Sequence, residues 1–295
     1  MAAQSRTELN PAVAAPPGSI GRKLIPVFRH VVLGLVTVAF ALPFAWMVIS
    51  ALKTQQTVFS NPIVWWPAVP QWQNFATAAD YPGFPFLRFL LNSTFYASAV
   101  TVGTVLSCAL AGYGFARLRF PGRDALFMVT VATLMVPTIV TLVPSFLLFR
   151  WLGWLGGYAP LIVPAFFGNA FFIFMMRQFY QGLPTELADA ARVDGAGEFR
   201  IFWQVMLPLV RPALVVMAVF TFTWTWHEFF LPLVYLSDNE LFPLSLGLYA
   251  FRTRRLTEWH LMMAGATLTT APLIVIFFAA QRYFLEGIKM TGLKG

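Results

Sequence analysis

Apolar residues along this chain gather into six long runs separated by polar stretches, rather than alternating as they would in half-buried strands. The runs are Val31–Ala51, Phe89–Phe115, Ala125–Phe149, Tyr158–Met176, Leu207–Leu236 and Leu261–Phe284. Each approaches or exceeds the roughly 20 residues with which an α-helix crosses bilayer hydrocarbon. The fifth is long enough to tilt or to begin in the interface, where Arg211 still reaches water. The pattern predicts an all-α, polytopic membrane protein with six transmembrane helices. Ahead of it, residues 1–21 are Ala/Pro/Ser-rich, lack apolar periodicity and read as disordered, within an N-terminal tail over 1–24 that precedes a membrane domain over 25–295. Ala39-Phe40-Ala41 resembles a signal-peptidase site, but the run continues to Ala51, so an uncleaved anchor is expected.

Composition makes lipid the solvent for most of the chain. Hydrophobic residues are 58% of the total and charged residues 11%, under half of the usual charged share of a soluble domain. The net charge of +8 does not point to nucleic acid, because the basic residues lie in the segments between apolar runs, where they set orientation. With the N-terminus inside, fourteen of the twenty Lys and Arg fall on the cytoplasmic side. The six outside are Lys53, Arg88, Arg150, Arg252, Arg254 and Arg255. Both termini are therefore expected in the cytoplasm of a multi-pass inner-membrane protein. The outer segment from 53 to 88 carries Trp65, Trp66 and Trp72 and reads as an irregular loop along the interface, its tryptophans an aromatic belt rather than a ligand cage. One cysteine, Cys108, excludes an intramolecular disulfide, and His30, His227 and His260 lack metal-ligand spacing, so no metal site is expected.

The longest patterned cytoplasmic loop runs from 178 to 206. Thr185 follows Pro184 and is placed to cap a first helix, with Glu186 in its first turn where the helix dipole favours a carboxylate. Asp194-Gly195 would end that helix, glycine taking the left-handed conformation without a Cβ penalty. A second helix is expected from about Gly197 to Val205, with Phe199, Phe202 and Met206 on one apolar face, and Pro208 then ends or kinks the chain. The small residues Ala188, Ala190, Ala191 and Gly195 suit close approach to another protein. Pattern alone leaves two readings, a docking element or an amphipathic linker on the membrane.

The segment resembles the coupling loop of binding-protein-dependent ABC importer permeases, whose signature is Glu-Ala-Ala, three residues, Gly, nine residues, Ile, one residue, Leu-Pro. Here Asp189, Ala190 and Ala191 are followed by Gly195, Val205, Leu207 and Pro208 in register, with Asp for Glu and Val for Ile. Asn92-Ser93, Val136-Pro137 with Pro144, Gln281-Arg282-Tyr283-Phe284 and the terminal Gly292-Leu293-Lys294-Gly295 resemble the carbohydrate-uptake branch, most of all the G-type subunit of maltose permeases. Glycerol-3-phosphate permeases share these features, so a polyol-type solute stays open.

The resemblance implies the type I ABC importer permease fold. It implies a heterodimer with a second permease, two ATP-binding subunits docked on the coupling loops through Glu186, Asp189, Ala190, Ala191, Asp194, Gly195, Leu207 and Pro208, and an extracytoplasmic solute-binding protein that delivers a sugar. It also implies a contact tail at Gly292, Lys294 and Gly295. The chain has no Gly-x-x-x-x-Gly-Lys-Ser/Thr phosphate loop, so no cofactor is expected on it; ATP and Mg belong to the partner, and the chain is not itself an enzyme.

Polar residues inside apolar runs are candidates for a translocation pathway. Thr221, Thr225 and Glu228 recur at i, i+4 and i+7 and would share one helix face, unless Glu228 simply reaches water at the outer interface. Asn169 in the fourth run is a further candidate. A secondary transporter working alone is the competing class; it would have no need of the 189–208 pattern and more often shows several intramembrane carboxylates.

The charge asymmetry predicts that cysteines placed singly near Met1 and Gly295 react with membrane-impermeant reagents only from the cytoplasmic side, and those at Trp65 and Arg254 only from outside. The background is a chain with Cys108 replaced. Outside labelling of either terminus contradicts the topology.

Overall fold

The computed structural model describes residues 19–252 and 257–292, with side chains for 27–252 and 257–281. The chain divides into two compact units, Met1–Met47 and Val48–Gly295. In order, its helices are α1 (Ser19–Ala51), α2 (Gln73–Ala79), α3 (Phe86–Arg117), α4 (Arg123–Ala132), α5 (Thr138–Trp151), α6 (Ala159–Ile162) and α7 (Ala170–Gln181). There follow α8 (Glu186–Val193), α9 (Glu198–Arg200), α10 (Leu207–Leu209), α11 (Arg211–His227), α12 (Phe230–Tyr235), α13 (Leu244–Gly247) and α14 (Trp259–Gly292). A two-residue hairpin, β1 (Asp80–Tyr81) with β2 (Phe84–Pro85), is the sheet of the described residues.

Among the described residues, four stretches are long and apolar enough to cross a membrane: Val27–Ala51, Phe86–Arg117, Ala159–Gln181 and Trp259–Gln281. Two further candidates are bent pairs, Arg123–Met135 with Thr138–Trp151 at 102° and Glu198–Leu209 with Arg211–His227 at 79°. The third and fifth runs are thus broken. In the third, Pro137 withholds an amide and biases the residue before it to extended backbone, so Val136 sits at φ −84, ψ 115 between α4 and α5. In the fifth, the bend falls at Val210 rather than at Pro208, which stays inside α10 while Pro212 opens α11. That run breaks again at Glu228. The first helix runs from Ser19, ahead of the apolar run, so residues 19–21 are helical where a disordered tail was expected; residues 1–18 lie outside the described part.

The segment from 53 to 88 is more ordered than an irregular loop. Asn74 of α2 donates to the Ala51 and Lys53 carbonyls, both at 2.8 Å, and so ties α2 to the end of α1. Trp65, Trp66 and Trp72 are each at least 60% exposed.

The second unit is organised on α3, against which α7 and α11 pack. One apolar core joins Cys108, Ala109 and Tyr113 of α3 to Ile173, Met176 and Tyr180 of α7 and to Met217 of α11. The approach is close because α3 carries glycine there. A Cβ on Gly112 would lie 2.6 Å from the Met176 Cβ and 3.1 Å from the Arg177 backbone nitrogen. Farther out, Trp226 of α11 donates through Nε1 to the Thr269 carbonyl of α14 at 3.1 Å.

Gly112→Ala is expected to destabilise the purified membrane complex by about 1–3 kcal/mol, since the neighbour it meets is backbone as well as side chain. Gly114→Ala, whose new methyl meets open space, serves as the control. Equal denaturation profiles for the two variants would contradict the packing argument.

Candidate functional site

The segment between α7 and α11 begins with a short helix, α8, that is tied to the rest of the chain at both ends. At its start Thr185 lies in helical conformation and its side chain makes no cap bond, contrary to expectation; its carbonyl accepts from the Ala188 and Asp189 amides at 3.0 and 3.1 Å. With Thr185 already in the helical region, its hydroxyl does not reach the amides of the helix's second and third residues, which a cap serves. Glu186 and Asp189 do lie in the first turn and Arg192 in the last, each where the dipole favours its charge.

The end of α8 follows the sequence reading. Gly195 sits at φ +80, the Ala196 amide donates to the Ala191 carbonyl at 2.9 Å, and the Gly195 amide donates to Arg192 at 3.0 Å. That pair of bonds is a Schellman turn, which any residue with a Cβ enters only at a cost. An added Cβ on Gly195 would meet nothing within 4 Å in this chain, so the space beside it is open.

A charged relay fastens the helix across that turn. Arg192 Nη1 pairs with Asp189 at 2.7 Å and its Nε with Glu198 at 2.8 Å. Glu198 in turn accepts from the Tyr113 hydroxyl of α3 at 2.8 Å. The Arg192 guanidinium beside it, aided by Tyr113, holds the Glu198 carboxyl below the usual carboxylate range against the opposing effect of burial. Its hydrogen bond to Glu198, first among several, pushes the Arg192 guanidinium up. Arg117, at the end of α3, donates to the Tyr180 and Leu183 carbonyls and so fixes the chain entering the segment.

Burial sorts the faces. Ala188 is buried in the core with Tyr113 and Ile201, while Asp189, Ala190, Val193, Asp194 and Gly195 are exposed. After the turn, α9 passes into a π-helical turn over Ile201–Met206. The wider turn separates residues expected on one face: Phe202 and Met206 are buried, but Phe199 is 73% exposed and stacks on Trp203. Leu207 is half-buried, and Pro208 is exposed.

The proposed pathway face is not assembled as a helix stripe. Thr221 and Thr225 are buried within the chain's own packing. Glu228 lies past the end of α11, where its Oε1 accepts from the Phe230 and Leu231 amides at 2.9 and 3.2 Å and caps α12. Asn169 caps α7 in the same way, accepting from Phe171 and Phe172 at 3.0 and 3.3 Å. Beside Glu228 lies a groove of about 460 Å³ lined by Thr223, His227 and Phe230 among others. Of the terminal trio, Gly292 closes α14, while Lys294 and Gly295 lie outside the described residues.

Tyr113, Arg117, Arg192 and Glu198 were not singled out from the sequence. Arg192 and Glu198 are six residues apart across a turn, so no helical spacing announces them; Tyr113 and Arg117 reach the segment only through the fold.

A family described as binding-protein-dependent transport system inner membrane component matches residues 103–290. The arabinooligosaccharides transport system permease protein AraQ of Halalkalibacterium halodurans is 30% identical over 279 residues, covering 93% of this chain and 99% of that protein. The sn-glycerol-3-phosphate transport system permease protein UgpE of Yersinia pestis is 32% identical over 275 residues, covering 90% and 97%. A crystal structure of a bacterial ABC transporter involved in the import of the acidic polysaccharide alginate contains a chain of the same fold. Its TM-score is 0.78 at 22% identity, covering 92% of this chain and all of that one.

Glu198→Gln is expected to raise hydrogen exchange of the 186–200 amides at neutral pH by a few tenths to about 1 kcal/mol of protection, the range for partly exposed ion pairs. Amides of α7 should not change. Because the folded carboxyl titrates below its unfolded value, the wild-type protection is present above about pH 4.3 and is lost as pH falls through the depressed value. Unaltered exchange in the variant would remove the relay from the account.

Proposed function

The chain belongs to the family of binding-protein-dependent transport system inner membrane components, and on that premise we propose that it forms, with a second permease, the pathway of an ATP-driven sugar importer. An extracytoplasmic binding protein delivers the solute, and two ATPase subunits carry ATP and Mg. The α8 helix and its flanks, from Glu186 through Asp189, Ala190, Ala191, Asp194 and Gly195 to Leu207 and Pro208, are the coupling element. The observation that carries this is the geometry of α8: a short helix with one buried residue facing its own chain and an open edge running to a left-handed glycine.

Coupling by such an element requires stiffness. Motion of the ATPase reaches the spans only if the docked helix moves as a body with them. The Asp189–Arg192–Glu198–Tyr113 relay supports that role, since it joins the open helix to α3. Both termini are taken to lie in the cytoplasm, as the fourteen-to-six charge distribution supports, and the contact tail at Gly292, Lys294 and Gly295 then lies on the ATPase side. Of the pathway candidates, Glu228 stays in the proposal because it is half-exposed at the groove beside α11. Thr221, Thr225 and Asn169 support the walls of the pathway by packing and capping.

The solute reading follows the relatives. The AraQ protein supports an oligosaccharide, and the UgpE protein supports the second reading, a polyol phosphate. Titrating the partner binding protein with both solute classes separates them.

Gly195→Asp and Gly195→Ala test the coupling element. Alanine is expected to lose about 1 kcal/mol in the left-handed turn and to slow transport moderately. Aspartate adds a third negative charge beside Asp189 and Asp194 on the open edge and is expected to abolish most uptake and receptor-stimulated ATP hydrolysis while the complex still assembles. Normal transport by a Gly195→Asp complex that retains its ATPase would remove 185–208 from the coupling role.

A further inference from the structure

A cleft of about 890 Å³ opens between the α3–α4 turn and α8. Its lining includes four arginines, Arg117, Arg119, Arg123 and Arg192, against two carboxylates, Asp189 and Glu198. Both carboxylates are taken up by Arg192. Arg117 donates to backbone carbonyls, which satisfy its hydrogen bonds without neutralising its charge. Arg119 is exposed and makes no ion pair or hydrogen bond among the described residues. Arg123 has an ion pair at 3.0 Å with Asp124, whose carboxylate is 76% exposed. A second hollow, of about 380 Å³, lies against the same turn and again takes in Arg119 and Arg123.

This excess of positive charge sits at a boundary. Just past Arg123, α4 exposes Leu126, Met128 and Val129 by 54–69%, and Phe120 of the turn is 39% exposed. Apolar side chains of that size, left open on a helix of a membrane span, are solvated by acyl chains. A ligand that offered both an apolar tail to α4 and an anion to the turn would satisfy both surfaces at once. Guanidinium forks bind phosphate oxygens two at a time, and basic pockets at the cytoplasmic ends of spans take lipid headgroups.

We propose that the α3–α4 turn binds the phosphate of an anionic phospholipid, with Arg119 and Arg123 as its ligands and Phe120 and α4 along the acyl chains. The ligand chemistry is a phosphate anion; the acyl contact assigns it to lipid rather than to free phosphate. The assignment rests on the reading of this end of α3 and α4 as the cytoplasmic membrane boundary.

The test is native mass spectrometry of the whole detergent-purified transporter, titrated with phosphatidylglycerol, phosphatidylcholine or inorganic phosphate. The readout needs no sealed membrane, so it does not depend on which side the termini face, and ATPase retention is scored in the same spectra. Phosphatidylglycerol should be retained over phosphatidylcholine. Arg119→Gln should lower that retention about fivefold, the effect of one basic residue near an anionic surface. Asp124→Asn, which frees Arg123, should raise it. Equal retention of the two lipids, indifference to Arg119→Gln, or displacement of phosphatidylglycerol by millimolar inorganic phosphate overturns the lipid site. Should Arg119→Gln lose the ATPase but keep phosphatidylglycerol, the turn belongs to the protein interface and the lipid assignment is likewise overturned.

Discussion

Bilayer hydrocarbon offers no water to a backbone amide or carbonyl, so every irregular stretch at membrane depth must find its partner within protein. That constraint organises this chain, because its apolar runs are repeatedly interrupted. Helix α3 meets much of the need. Its Ser107 hydroxyl donates to the Ala165 carbonyl at 3.0 Å, and its Cys108 sulfur accepts from the Asn169 amide at 3.2 Å, both inside the break ahead of α7. Toward its N-terminal end, Ser93 accepts from the Leu244 amide at 2.7 Å, and Asn92 donates to the Glu240 and Phe242 carbonyls. Toward its C-terminal end Tyr113 and Arg117 hold the segment around α8. One helix thus supplies hydrogen bonds to three otherwise separate irregular regions.

The same helix explains how the candidate coupling element can keep an exposed edge and still be held in place. A helix of eight residues is not stable alone. The α8 helix persists because Ala188 is buried against the core, its end is closed by the Gly195 turn, and Arg192 bridges that turn to Glu198. None of these uses the outer edge at Ala190 and Val193, which stays open for another surface. The contacts that hold the helix leave that edge unoccupied.

Legibility from sequence followed from the kind of signal each feature leaves. Helix extents in lipid are written in run length, so Phe89–Phe115 and Leu261–Phe284 approximate the apolar parts of α3 and α14 well. The Gly195 turn was legible because left-handed backbone selects one residue type. The breaks were not, because the polar residues that make them tolerable look like pathway residues in an apolar run. Asn169 follows Gly168 at φ +92, and Glu228 precedes two phenylalanines and Pro232; both are capping contexts that outweigh their membrane depth. The Thr185 cap failed for a local reason, the helical conformation of Thr185 itself. The relay from Arg192 to Tyr113 joins residues that no local period relates.

The bonds made by α3 also constrain how its gene can change. Ser93 and Cys108 lie about 22 Å apart along a helix, at the usual rise per residue, and each must meet a fixed backbone group elsewhere in the chain. One codon inserted between them would turn everything downstream by about 100°, carrying Ser107, Cys108 and Tyr113 off their partners together and moving the Gly112 face away from Met176. A point substitution along that stretch disturbs one contact; a change of length disturbs all of them. Between 59 and 72, where exposed tryptophans and prolines are tied to no helical phase, insertions and deletions carry no such penalty. Homologous genes should therefore differ in length outside α3 and keep its reading length constant.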